Sequence, residues 1–267
     1  MKNKPNILII NDDGINAPGI HYLWQSLKNI ANTTIIAPAA EQSATSVSIT
    51  LRTPLQVKEM KWENSLAWSV SGTPVDCVKL ALSVLLSNPP DLIVSGINRG
   101  TNAGRNILYS GTIGATIEAA LRGFPAIAFS CFDSVGTDYE GASLYIPSIT
   151  QYVLDNPLPK GTLLNVNFPS NSHVIQGVKF TKHGKEYWVE NPDKRFHPAE
   201  GSEYYWLGAR LAEFQEEEDC DITWLKKGFL TAVPINVEEL THLNLLNERR
   251  EMFENLFSNQ KAFAKVQ

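Results

Sequence analysis

Apolar positions follow two rhythms along this chain. Ile7-Leu8-Ile9-Ile10 is an unbroken apolar run that stops at Asn11-Asp12-Asp13-Gly14, the pattern of a short strand buried on both faces. From Pro18 the spacing changes: Ile20, Leu23, Trp24, Leu27 and Ile30 recur mostly every three or four residues, which predicts a helix with one apolar face and Pro18 in its first turn. Thr34 to Ala37 returns to a strand, closed by Pro38. The alternation then repeats, with a helix over Pro74 to Leu86, a strand at Leu92-Ile93-Val94, a helix from about Gly111 to Arg122, and a strand from Ala126 to Ser130. Right-handed crossovers between such strands bring their ends to one edge of a parallel sheet. The fold expected is therefore α/β, a Rossmann-like three-layer sandwich with a mostly parallel sheet and helices on both sides.

Beyond about residue 160 the helical rhythm fades. Leu163 to Phe168, Val178 to Thr181, Tyr204 to Leu207 and Phe229 to Val233 read as strands separated by long polar stretches. This predicts a β-rich antiparallel excursion or oligomerisation arm over residues 161–240, attached to an α/β core at 1–160. Asn247 to Ala264, with Met252, Phe253, Leu256 and Phe257, predicts an amphipathic helix in the last stretch, 241–267. The 267 residues are read as one domain, without repeats or low-complexity tracts.

Composition narrows the function. With 23 basic and 28 acidic side chains the net charge is 23 − 28 = −5, and there is no block of Lys or Arg, which argues against a stable nucleic-acid partner or an anionic membrane surface. A small anionic substrate would need local positive charge, such as a metal ion. Cys77, Cys131 and Cys220 are far apart and form no CxxC pair, so a reducing cytoplasm is the expected location. The run Ile7 to Ile10 is too short for a signal peptide or a membrane span.

Four segments carry candidate chemistry. Asp12 and Asp13 follow the first strand where α/β folds place ligands; two adjacent carboxylates are costly unless a cation sits between them, although an Asx turn uses the same residues. Ser95-Gly96-Ile97-Asn98-Arg99-Gly100-Thr101-Asn102-Ala103-Gly104 permits close backbone approach and offers the amides of Asn98 and Asn102. Ser110, Gly111 and Thr112 open a predicted helix and suit a phosphate, or serve only as its cap. Glu41 to Thr50 supplies the hydroxyls of Ser43, Thr45, Ser46, Ser48 and Thr50. All four sit on what should be one rim. Other chemistries find less support: the glycines fit neither a P-loop nor GxGxxG. His21, His173, His183, His197 and His242 show no zinc spacing, and no GxSxG elbow exists.

Taken together, these motifs resemble the SurE family of survival proteins. The resemblance rests on the run from Ile7 through Asn11-Asp12-Asp13-Gly14-Ile15 with Ala17-Pro18-Gly19, on Ala37-Pro38 leading to Ser43, on Gly72-Thr73-Pro74-Val75-Asp76-Cys77-Val78, on Ser95-Gly96-Ile97-Asn98, and on Tyr109-Ser110-Gly111-Thr112. It implies a nucleotidase with one divalent ion per subunit, Mg²⁺ or Mn²⁺, held by Asp12, Asp13, Ser43 and Asn98. It further implies hydrolysis of nucleoside 5′- and 3′-monophosphates, in some members also short polyphosphate; with such an ion in place, Asp12 or Asp13 is expected to act on the water as the catalytic residue, and Asn98, Asn102, Ser110, Gly111 and Thr112 are expected to contact the phosphate. A homodimer or homotetramer is implied as well. The chain departs from the family pattern at Ala39-Ala40-Glu41-Gln42, where many relatives carry Arg, and at Asn106, where an acid is frequent. A haloacid-dehalogenase-type phosphatase would need an acid at Asn11, and a non-catalytic nucleotide- or metal-sensing module has less need of paired carboxylates.

Overall fold

The computed structural model describes residues 4–132, 136–170, 174–212 and 214–258. Its first half alternates β1 (Asn6–Ile10), α1 (Pro18–Leu27), β2 (Asn32–Pro38), β3 (Val57–Glu59), β4 (Leu66–Val70), α2 (Pro74–Leu80), β5 (Leu92–Arg99), α3 (Gly111–Leu121) and β6 (Ala126–Cys131). Then come α4 (Tyr139–Ser143), α5 (Ile146–Asp155), β7 (Thr162–Phe168), β8 (Val178–Phe180), β9 (Tyr187–Val189), β10 (Asp193–Phe196), β11 (Glu203–Trp206) and β12 (Arg210–Ala212). The described chain closes with α6 (Asp221–Lys226), β13 (Leu230–Asn236) and α7 (Leu243–Ser258).

One nine-stranded sheet, ordered β3-β4-β2-β1-β5-β6-β7-β13-β8, forms the middle layer. The six strands from β4 to β7 are parallel. Counted in chain order they run 3-2-1-4-5-6, the doubly wound arrangement, and the winding reverses between β1 and β5. The apolar run of β1 explains its central place: Ile7 and Ile9 join a core layer with Ile20, Leu23, Trp24 and Leu27 of α1. Leu8 and Ile10 face the other way, into a layer with Cys77 and Val78 of α2 and Ala115 of α3. Both faces are thereby closed to water, as the α/β reading required.

The second half differs from expectation in one respect. Leu163 to Phe168, assigned to the arm, lies in β7, which is buried along its whole length and pairs in parallel with β6. β13 adds antiparallel to β7, and β8 parallel to β13, so the core sheet continues well past residue 160. Asn165 and Asn167 interrupt the apolar run and give β7 the look of a half-exposed strand, yet both are buried and hydrogen-bonded. The antiparallel excursion narrows to two ribbons, β10 with β11 and β9 with β12. The helix expected over 74–86 is α-helical only to Leu80 and continues as a π turn, Ala81–Leu85. The terminal helix is described to Ser258; residues 259–264 of the expected segment, like His173, lie outside the described residues. No helix among the described residues is long and apolar enough to cross a membrane.

Candidate metal and phosphate site

The rim at the switch point is built by the ends of β1, β2 and β5 and the start of α3. After β1, Asn11 is fully buried and forms a turn: its amide donates to Gly14 O at 2.9 Å and accepts from Gly14 N–H at 3.2 Å. The Asx turn is thus real, but Asn11 makes it, and Asp12 and Asp13 stand free of that task. A nucleophilic acid at position 11 is precluded by the amide and its engagement.

Asp12 is only 4% exposed. The Thr112 hydroxyl donates to its Oδ1, and Gln42 N–H donates to its backbone oxygen at 2.7 Å. Burial pushes the Asp12 carboxyl above its ordinary value, against hydrogen bonds from the hydroxyl and N–H of Thr112. Asp13 is half-buried and accepts Arg99 N–H at 3.1 Å. Burial first, and the neighbouring Asp12 charge second, raise its pKa to about 6. Glu41 adds negative charge to both. Sequence reasoning valued Glu41–Thr50 for its hydroxyls and passed over Glu41 itself, the one charged residue between Ala39 and Thr50.

Ser43 and Asn98 follow from these links. Ser43 comes directly after Gln42, and its hydroxyl donates to Glu41 Oε1 at 2.6 Å, which leaves oxygen lone pairs for a cation. Asn98 directly precedes Arg99, and its amide nitrogen is committed to Gly100 O at 2.7 Å, so its carbonyl oxygen is the donor to spare. A register shift in the β5–β6 pairing between Ser95 and Asn98 marks a bulge, which re-aims the strand end. Gly96 in that bulge has φ +133°, and a Cβ there would meet Phe129 O at 2.3 Å.

The 43–50 segment is held with some strain. Ala44 and Ser46 occupy positive φ, 58° and 51°, an uncommon state for residues with side chains. Ser46 is fixed there by its N–H to Tyr109 O at 3.0 Å and its hydroxyl to Leu108 O at 2.8 Å. Further along, the Thr73-Pro74-Val75-Asp76 motif is a capping box on α2, and Asp76 also accepts Thr50 N–H at 3.0 Å. That motif therefore anchors the loop as well as the helix.

At α3, Ser110 is the N-cap, accepting Ile113 N–H at 3.2 Å. Gly111 lies against Asp12: a Cβ on it would come within 2.8 Å of Asp12 Cβ and 2.9 Å of Thr45 Oγ1. Thr112 is fully buried and belongs to Asp12. Asn102, expected at the phosphate, is 5% exposed and its side chain donates to Ser130 Oγ at 2.8 Å; it is turned into the protein. A cleft of about 890 Å³ lies at the other ends of the central strands, lined by Asn6, Lys28, Thr33 and Asn88 among others, away from these carboxylates.

The donor set fits a hard divalent ion. Two adjacent carboxylates, Asp12 buried and Asp13 half-buried, both have raised pKa values, and Ser43 and Asn98 lie on the segments that bond to them, with hard oxygens of the kind such an ion takes. Among the described residues no three His, Cys, Asp or Glu side chains gather as a metal cluster.

The family model described as Survival protein SurE matches residues 7–190. The 5′-nucleotidase SurE of Protochlamydia amoebophila (strain UWE25) is 54% identical over 253 residues, covering 93% of this chain and 97% of that one. That of Thermoanaerobacter sp. (strain X514) is 42% identical, covering 90% and 95%. The crystal structure of the Sure protein from Aquifex aeolicus superposes with a TM-score of 0.80 at 33% identity, covering 93% of this chain and 99% of that chain. The family model covers well over half of the chain and the relatives nearly all of it, and the chain belongs to the SurE family.

Proposed function

We propose that the chain is a divalent-metal-dependent phosphomonoesterase that hydrolyses nucleoside 5′-monophosphates to nucleoside and phosphate, with 3′-monophosphates and short polyphosphate as further substrates. The observation that carries this reading is the adjacent Asp12–Asp13 pair at the switch point, Asp12 buried with the N-terminus of α3 packed against it and Asp13 half-buried. Two 5′-nucleotidases of high identity support the substrate class.

Asp12, Asp13, Ser43 and Asn98 are assigned to one ion, Mg²⁺ or Mn²⁺. When bound there, such an ion polarises a phosphoryl oxygen and makes a bound water more acidic. The chain's own residues do the rest. Thr112 fixes Asp12 through its hydroxyl, so the carboxylate points one way before substrate arrives. Asp13, the more exposed of the pair, is the one available to orient a water. Gly111 carries no side chain, so the positive end of α3 packs directly against Asp12, and its field there favours a phosphate held beside the carboxylates and the charge that grows on it. Ser110 keeps that end fixed by capping it.

The assembly is assigned as a homodimer or homotetramer, supported by exposed Phe196, Tyr204, Tyr205 and Trp206 on the β10–β11 ribbon. A cytoplasmic location is supported by three buried free thiols. Release of phosphate from AMP with Mn²⁺ tests the reading. It is expected to stop with EDTA and to fall to background in Asp12→Asn. No release from any nucleotide, with Mn²⁺ still bound, would establish the sensing module instead; a covalent phosphate on Asp12 or Asp13, detected by mass spectrometry after acid quench of a turnover mixture, would establish a phospho-enzyme mechanism of the haloacid-dehalogenase kind.

A further inference from the structure

Three parallel strands end side by side at this rim, and their last residues stand in register. Asn98 of β5 pairs with Ser130 of β6, and Ser130 with Asn167 of β7. Ser130, Asn165 and Asn167 are fully buried polar residues in a position where a doubly wound sheet ordinarily packs apolar side chains. Each amide is spent on the loop that follows Asn98. Asn167 Oδ1 accepts Asn102 N–H at 2.8 Å, Ser130 Oγ accepts the Asn102 side chain at 2.8 Å, and Asn165 Nδ2 donates to Asn102 O at 2.8 Å. Asn167 in turn donates to Asn165 Oδ1 at 3.2 Å, which fixes both amides. Asn102 is thus held at its N–H, its carbonyl and its side chain. Two further pins lie along the same loop: Gly100 N–H donates to Cys131 O at 2.8 Å, and Gly104 N–H to buried Asp221 at 2.9 Å.

Burying three such side chains is costly unless every one is paired, and an apolar β7 end would serve packing alone. The pairing converges on a single residue four positions after Asn98, in the loop whose Arg99 N–H binds Asp13. We propose that Ser130 and Asn167, with Asn165 behind them, are positioning residues of the metal site: they hold Asn102, and through it the segment carrying Asn98. This rests on the function proposed above, and it assigns Asn102 to the inner side of the loop, where it acts on Asn98.

The test uses the full chain with Ser130→Ala, Asn167→Ala and, as a buried-hydroxyl control in α5, Thr150→Val. Mn²⁺ binding is measured by calorimetry without substrate, and hydrogen exchange is followed in peptides spanning 96–106. Ser130→Ala and Asn167→Ala are expected to speed exchange at 100–104 and to weaken Mn²⁺ binding by about tenfold or more, as loss of partners behind a ligand generally does. Thr150→Val is expected to change neither. Mn²⁺ affinity within twofold of the unsubstituted chain, or unaltered exchange, in folded variants overturns the proposal and leaves the proposed function standing. If Asn167→Ala fails to fold, Ser130→Ala decides alone, because it removes one hydroxyl. Absence of Mn²⁺ binding by the unsubstituted chain overturns the metal reading itself, and this inference with it.

Discussion

Asp13→Asn should make the metal-free protein more stable while ending its response to metal. Asparagine keeps an oxygen for Arg99 N–H, a 3.1 Å bond, so the substitution removes charge and little else. In the folded chain Asp13 holds its proton to about pH 6, against an ordinary 3.8. Between those values the folded state binds a proton that the unfolded state has released, and stability falls as pH rises; above about pH 6 the loss is complete. A shift of about two units corresponds to about 3 kcal/mol, trimmed to roughly 2–3 kcal/mol because the side chain is partly solvated. For a chain of this size that is roughly 4–12 °C in Tm. The assay is thermal unfolding in EDTA at pH 4, 5, 6 and 7.5. Asp13→Asn should match the unsubstituted chain near pH 4 and exceed it by the full margin at pH 7.5. With Mn²⁺ at 100 times its Kd, the unsubstituted chain should gain about 2.7 kcal/mol and Asp13→Asn far less. A variant that melts at or below the unsubstituted chain in EDTA at pH 7.5 would refute the claim that the carboxylate pair is strained without a cation.

Three other outcomes follow from close contacts. Gly111→Ala places a Cβ 2.8 Å from Asp12 Cβ; it should leave the fold intact but lower kcat for AMP by about 10²-fold, the scale of a small displacement of reacting groups. Thr112→Val removes the hydroxyl on Asp12 and should cost about 1.5–3 kcal/mol in urea unfolding at pH 7.5 without metal, with a lower kcat. Gly19→Ala puts a Cβ 2.0 Å from Ile97 O, so α1 must move away from β5; about 1–3 kcal/mol of stability should be lost, read as a lower urea midpoint.

The sequence carried the core legibly because its signals are local. The run Ile7–Ile10 and the spacing Ile20, Leu23, Trp24, Leu27 each encode burial directly, and both appear in the structure as expected. What stayed hidden depends on partners distant in sequence. β7 looks half-polar until Asn165 and Asn167 find Asn102, over 60 residues away. β4 and α5 went unassigned, although Ile146, Thr150 and Val153 of α5 fall at helical spacing and are buried. At the site, the residue types at Asp12, Asp13 and Gly111 announced themselves, but their division of labour did not. Thr112 and Asn102 read as ligand contacts and turn inward, to Asp12 and to Ser130. Glu41 lay inside a recognised segment and was overshadowed by hydroxyls, although a lone acid beside a serine is the signal that would have found it.

The most direct test of the account is anomalous diffraction at the manganese edge from crystals soaked in Mn²⁺. One strong peak per chain is expected between the ends of β1 and β5, with oxygens of Asp12, Asp13, Ser43 and Asn98 around it. A peak that touches neither aspartate, or no peak at a Mn²⁺ concentration that supports phosphate release from AMP, would contradict it.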